Sequence, residues 1–162
     1  MTDLVDIVPL FIQIAHRIVW CSVATVDRSG RPRSRILHPY WEWDGSDIRG
    51  WIATSPTAIK RSHLGGVPYV SCSYWAPSHD LAVAECHAEL ISDDATCSRV
   101  WNLYKAAAPP LGYDPGSIGV PGWDAPTSAG FAVIRLEPWR LRALTGEQFM
   151  RSGSRDALNW VA

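Results

Sequence analysis

The stretch RSRILHPYWEWDGSDIRGWIATSPTAIK, residues 33–60, decides how the chain folds. Its first part, Arg33 to Tyr40, reads as a strand with Arg33 and Arg35 on one face and Ser34 and Ile36 on the other. Asp44-Gly45 supplies hairpin-turn chemistry, and Gly50-Trp51-Ile52-Ala53 reads as the next strand. After that the pattern changes. Thr54-Ser55-Pro56-Thr57 is a loop, Pro56 suits the first turn of a short helix to about Leu64, and Gly65-Gly66-Val67-Pro68 stops it. Strand, tight turn, strand, loop and short helix in this order describe antiparallel pairing with an inserted helix.

Upstream, Leu4, Ile7, Val8, Phe11, Ile14 and Ile18 recur at three- and four-residue steps, which predicts a helix over residues 2–17. Pro9 fits its first turn or marks a break. Residues 18–26 (IVWCSVATV) read as a mostly buried strand, and Asp27-Arg28-Ser29-Gly30 as a turn. Downstream, 69–75 and 81–92 read as strands, and Asp93 or Asp94 caps a helix to about residue 107. Residues 108–128 hold five prolines and four glycines, an irregular loop of a length that suggests function. Residues 131–136 and 139–144 complete the strands, and 145–162 read as a loosely packed tail. A parallel sheet would need a crossover helix after nearly every strand, and these are missing. The fold class is therefore mainly β, a six- to seven-stranded antiparallel barrel with a few helices: one domain of 1–162, with a helix at 1–17 and the barrel at 18–144.

Composition narrows the function classes. A formal net charge of −1, without long runs of like charge, argues against a nucleic-acid surface or a polybasic membrane patch. The first twenty residues lack a signal-peptide pattern, and no run of eighteen apolar residues occurs, so the expectation is a soluble, cytoplasmic protein. Cys21, Cys72, Cys86 and Cys97 form no CxxC pair and show no zinc-type spacing, which suits reduced, structural thiols. Nine tryptophans are the unusual feature; such rings suit interfaces and flat aromatic ligands.

Chemistry concentrates in the opening stretch. Arg33 and Arg35 leave a strand that otherwise reads as interior, so they either reach the rim or meet an anion. Thr54, Ser55 and Thr57 place hydroxyls at a strand-to-helix junction, and Lys60 follows one turn later. That combination is either a phosphate cradle or a plain helix cap beside a solvated strand edge.

The order WCSVATVDRSGRPRSRILHPYWE, GWIATSPTAIKRSHL, VPYVSCSYW, LAVAECHAELISDD resembles the pyridoxamine 5′-phosphate oxidase-like superfamily of flavin-binding split barrels. The likeness is to its short members, which bind FMN or its deazaflavin relative, coenzyme F-420, and it covers about residues 15–144. The resemblance implies a homodimer whose cofactor phosphate and ribityl chain are held by Arg33, Arg35, Thr54, Ser55 and Lys60. It also implies Trp41 and Trp75 lining the groove between subunits, with His38 near the ring. The implied activity is hydride transfer between the cofactor, FMN ahead of deazaflavin, and a small organic substrate, the cofactor carrying the hard chemistry; the alternative is a non-enzymatic protein that binds a flavin or tetrapyrrole. His38 or His63 could assist protonation, and Arg61 beside Lys60 would suit deazaflavin's acidic tail. The chain departs from true pyridoxamine phosphate oxidases in lacking their longer C-terminal segment, so that particular activity is not expected.

Overall fold

The computed structural model describes residues 2–162. The N-terminal helix α1 (Leu4–Ile18) forms as its periodicity predicts, continues through Pro9, and buries Ile7, Val8, Phe11, Ile14 and Ala15. It ends in a tight turn: Val19 takes φ 71° and the Trp20 N–H donates to the Ile18 carbonyl at 2.8 Å. A positive φ is costly for a β-branched residue. This turn leaves Trp20 exposed at the start of the sheet.

Eight strands follow, β1 (Cys21–Val26), β2 (Pro32–Leu37), β3 (Tyr40–Trp43), β4 (Ile48–Thr54), β5 (Tyr69–Trp75), β6 (Leu81–Ile91), β7 (Ala132–Leu144) and β8 (Leu158–Val161). All pairings are antiparallel, in the order β2-β1-β5-β6-β7-β4-β3, with β8 added to β7. The sheet is not closed: β2 and β3 are its two ends. A hydroxyl nonetheless bridges the two sides of the split. Tyr104, on helix α3 (Asp94–Ala106), places its oxygen 2.6 Å from the His38 carbonyl after β2 and 2.8 Å from the Trp51 carbonyl in β4.

Three expectations need correction. The sheet has eight strands, because the expected pair 131–136 and 139–144 is one strand while β3 and β8 are additional. Pro138 does not divide β7: it sits where the β6 register shifts between Glu85 and Cys86, so its missing N–H breaks no regular ladder. The C-terminal residues are not a loose tail. Thr145 and Gln148 form a capping box that starts helix α4 (Gly146–Ser152), and the four residues of β8 then pair with Ala143 to Arg140.

Two apolar clusters stabilise the fold. The first joins α1 to one face of the sheet through Phe11, Trp41, Tyr74, Leu136 and Leu141; the second packs α3 against Trp51, Trp123, Phe131 and Val133. All four cysteines are free and buried, so their thiols serve here as small apolar side chains. Among the described residues, no helix is long and apolar enough to cross a membrane.

Candidate functional site

The short helix expected here forms as α2 (Ala58–Gly66), shifted by two residues: Pro56 lies before the N-cap rather than in the first turn, the Thr57 side chain accepts the Lys60 N–H, and the helix runs through Gly65-Gly66 to a cap at Val67. One turn in, Lys60 turns back onto the end of β4: its ammonium donates to Thr54 Oγ1 and, at 3.1 Å, to the Ser55 carbonyl. Arg35 approaches from β2 and donates to Thr25 Oγ1 at 2.9 Å; the same hydroxyl lies 3.1 Å from His63 Nδ1, on the same helix as Lys60. Thr25 accepts from the guanidinium, and its hydroxyl also lies 3.5 Å from the Arg33 carbonyl, to which it donates, so that it ties β2 to α2. Burial, and after it the charge of Arg35, lowers the Lys60 pKa from its usual value. Arg35 and Lys60 thus meet the same half-buried junction, one through Thr25 and the other through Thr54 and Ser55, and among the described residues neither has a carboxylate partner within 4.0 Å.

Beside this cluster lies a cavity of about 430 Å³, walled by Trp20, Ile36, Leu37, His38, Ala53 and, from the loop after α3, Pro110, Tyr113, Ile118 and Trp123. It sits at the split between the sheet ends, since Ile36 and Leu37 come from β2 and Ala53 from β4. The walls are mostly apolar, and the volume falls within the range typical of small-molecule sites. Cavity and cation pair are physically joined, because Trp123 Nε1 donates to Ser55 Oγ at 3.0 Å. His38 is 8% exposed, its ring 5.1 Å from Trp20 and 5.2 Å from Tyr113, and its Nε2 has no hydrogen-bond partner among the described residues. Burial lowers its pKa, while the Leu111 backbone beside it works in the opposite direction.

Of the residues singled out from sequence, Arg35, Thr54, Ser55 and Lys60 come together, and His38 lines the adjoining cavity. Arg33 does not join them; its guanidinium leans to Asp27, 3.7 Å away, beside the Asp27–Arg31 pair. Trp41 is a correction: it is 1% exposed, donates to Tyr74 Oη at 2.9 Å and packs edge-on against Phe11, so it is core and lines no groove in this chain. Gly50, opposite it in register, makes room for the indole. Trp75 is exposed at the end of β5 with its ring near His79, outside the cavity wall. The sequence reading missed Thr25, Trp20, Tyr113 and Trp123. The proline-rich loop that holds two of them carries a signal in its length; nothing local marks Thr25, whose place depends on cross-strand register.

A second cleft, about 530 Å³ beside the β3–β4 hairpin, is lined by Glu42, Arg49, Arg99 and Arg135 among others. Most of its charges are paired internally, Glu42 with Arg99, Arg49 with Asp47, Arg135 with Glu89 and Glu137, and the remaining carboxylate, Asp44, accepts the Ser46 and Asp47 N–H groups of its own turn.

No protein-family model matches the chain, and no curated protein matches by sequence. Solved structures do match by shape. A protein from Clostridium acetobutylicum related to general stress protein 26, of the pyridoxinephosphate oxidase family, superposes with a TM-score of 0.67 at 11% identity, over 92% of this chain and 89% of its own. A pyridoxamine 5′-phosphate oxidase-related, FMN-binding protein from Nostoc punctiforme gives 0.65 at 14% identity over 99% of both chains. An F420 reductase gives 0.51 at 16% identity, over 79% of this chain and 92% of its own. With its open eight-stranded antiparallel sheet and these structural matches, the chain has the split-barrel fold of the pyridoxamine 5′-phosphate oxidase-like proteins.

Proposed function

We propose that this protein is an oxidoreductase that binds FMN, with the phosphate at Arg35 and Lys60 and the flavin ring in the adjoining cavity. The observation that carries this reading is the pair of cations held together without a carboxylate, next to an apolar cavity at the barrel split. The residues suit such a cofactor. Arg35 offers a planar fork and Lys60 a point charge, Thr54 and Ser55 supply hydroxyls beside them, and aromatic walls suit a tricyclic ring. When bound, the ring supplies hydride chemistry; the protein's share is to position it, exclude water and hold the anion. Charge-assisted bonds contribute ~1.5–3 kcal/mol each, while micromolar binding needs ~8 kcal/mol, so burial of the ring must supply the rest.

Deazaflavin F-420 is the second cofactor reading, favoured by the resemblance to an F420 reductase and by the exposed Arg61 next to Lys60. We also propose a homodimer formed through the outer sheet face, where Ile36, Tyr69 and Trp75 are exposed around the small residues Ser22, Ala24, Ser71 and Ser73. The test is a side-by-side titration of FMN and F-420, followed by absorbance and fluorescence, with wild type and the Arg35→Ala, Lys60→Ala double variant. The expected result is saturable binding that weakens by ~10²-fold or more in the double variant. No binding of either cofactor, or equal affinity in the double variant, refutes the reading.

A further inference from the structure

One more titratable side chain reaches the cation cluster. His63 sits on α2 three residues after Lys60, so the two share a helix face. It is partly exposed, and its Nδ1 lies 3.1 Å from Thr25 Oγ1, the same oxygen that receives the Arg35 guanidinium at 2.9 Å. The Thr25 proton is directed at the Arg33 carbonyl, which leaves the lone pairs of that oxygen to accept from both Arg35 and His63. The imidazole therefore carries its first proton on Nδ1 and takes a second on Nε2, which breaks no bond to Thr25. The charged groups around it are cationic or already engaged. Arg61 shares its helix, and the Arg28 side chain, from the β1–β2 turn, lies beside Gly66. Asp27 is engaged by Arg31 and Arg33, and Glu89 of β6 by Arg135, while His87 of β6 has its ring by Tyr69. Among the described residues no carboxylate pairs with His63, so nothing in the chain offsets a second proton on it.

We infer that His63 is a third, proton-dependent cation of the phosphate subsite, joining Arg35 and Lys60 when an anion is bound. This rests on the flavin reading above and adds a rule to it: the subsite takes up a proton together with its phosphate. Without a ligand, an imidazolium beside Arg35 and Lys60 is opposed by like charge; burial and then the Arg35 charge already lower the Lys60 pKa. A phosphate dianion reverses that balance. Proton and phosphate therefore favour one another, and by linkage the affinity for the phosphate rises as pH falls through the range in which imidazole titrates. The phosphate's own second ionisation, near about pH 6, sets the lower end of that window, because the monoanion is the weaker ligand.

The test is titration calorimetry of FMN and of riboflavin at pH 7.0, in two buffers of different ionisation heat, PIPES and Tris, with wild type and His63→Gln. Riboflavin lacks only the phosphate, so the difference between the two ligands isolates the subsite from the ring. Glutamine keeps an amide N–H for Thr25 but does not titrate. Wild type should take up a fraction of a proton with FMN beyond any taken up with riboflavin. Its preference for FMN over riboflavin should also rise by ~3- to 10-fold from pH 8.0 to pH 6.5. His63→Gln should still prefer FMN but lose both the uptake and the rise. A wild type that prefers FMN yet takes up no extra proton overturns the His63 assignment and leaves the flavin reading standing. Uptake and rise that persist in His63→Gln overturn it as well, since another group then carries the proton. FMN bound no more tightly than riboflavin, or no binding of either, removes the phosphate subsite and this inference together. Should His63→Gln fail to fold, the wild-type comparison and His63→Asn still decide.

Discussion

Protonation of His16 should weaken the fold on mild acidification. His16 sits in the last turn of α1 and accepts the Trp41 N–H on Nε2 at 3.0 Å; burial, then the nearby His38, lowers its pKa to about 4 from 6.5. A proton on Nε2 would set two donors face to face at the point where α1 holds β3. The unfolded chain binds that proton at about pH 6.5 and the folded chain only near pH 4, so between these values the unfolded state carries more protons. Stability contributed by this group is therefore complete above pH 6.5 and is lost as pH falls toward 4. The interval corresponds to at most ~3 kcal/mol. Because His16 is partly open to solvent, ~1–2 kcal/mol is expected. The lowered carboxylates, Asp27, Asp44, Asp80, Asp93 and Asp156, shed their contribution only at more acidic pH, so they leave this window largely to histidine. Urea unfolding at pH 7.0, 5.5 and 4.5, in wild type and His16→Gln, measures the slope. The glutamine can still accept from Trp41 but does not titrate, so its slope should be shallower. Parallel slopes in the two proteins would refute the assignment.

Two further substitutions probe the core and the join between cavity and cation pair. Gly50→Ala should destabilise by ~1–3 kcal/mol in urea unfolding, since its Cβ would fall 2.7 Å from the fully buried Trp41 ring, which has nowhere to move; an unchanged midpoint would contradict this packing. Trp123→Phe keeps the aromatic wall but deletes the N–H that holds Ser55, and FMN affinity measured by fluorescence should fall by ~2- to 10-fold, with no change counting against a role for that bond.

Much of this architecture is legible in residues 33–60, because turns and helix stops have local chemistry. The Asp44-Gly45 turn and the presence of a short helix after the Thr54–Thr57 loop follow from neighbours in sequence, although that helix starts and ends two residues later than its local signals suggest. The site was legible where charge and hydroxyls cluster in sequence, as at Thr54, Ser55 and Lys60. It was illegible where placement depends on distant pairing. Arg33 and Arg35 share a strand face, yet only the fold decides that Asp27 draws off the first while Thr25 and His63 engage the second. Trp41 looks like a ligand-lining ring in sequence and becomes core because Tyr74, thirty-three residues away, supplies its acceptor. The four-residue β8 carries too short an alternation to be recognised before β7 is in place beside it.

The central claim is that the Arg35 and Lys60 charges hold the phosphate of a bound flavin. Its most direct measurement is the ratio of FMN to riboflavin affinity in the wild-type protein, two ligands that differ only by that phosphate. The account predicts FMN binding tighter by ~10²-fold or more. Equal affinities would contradict it.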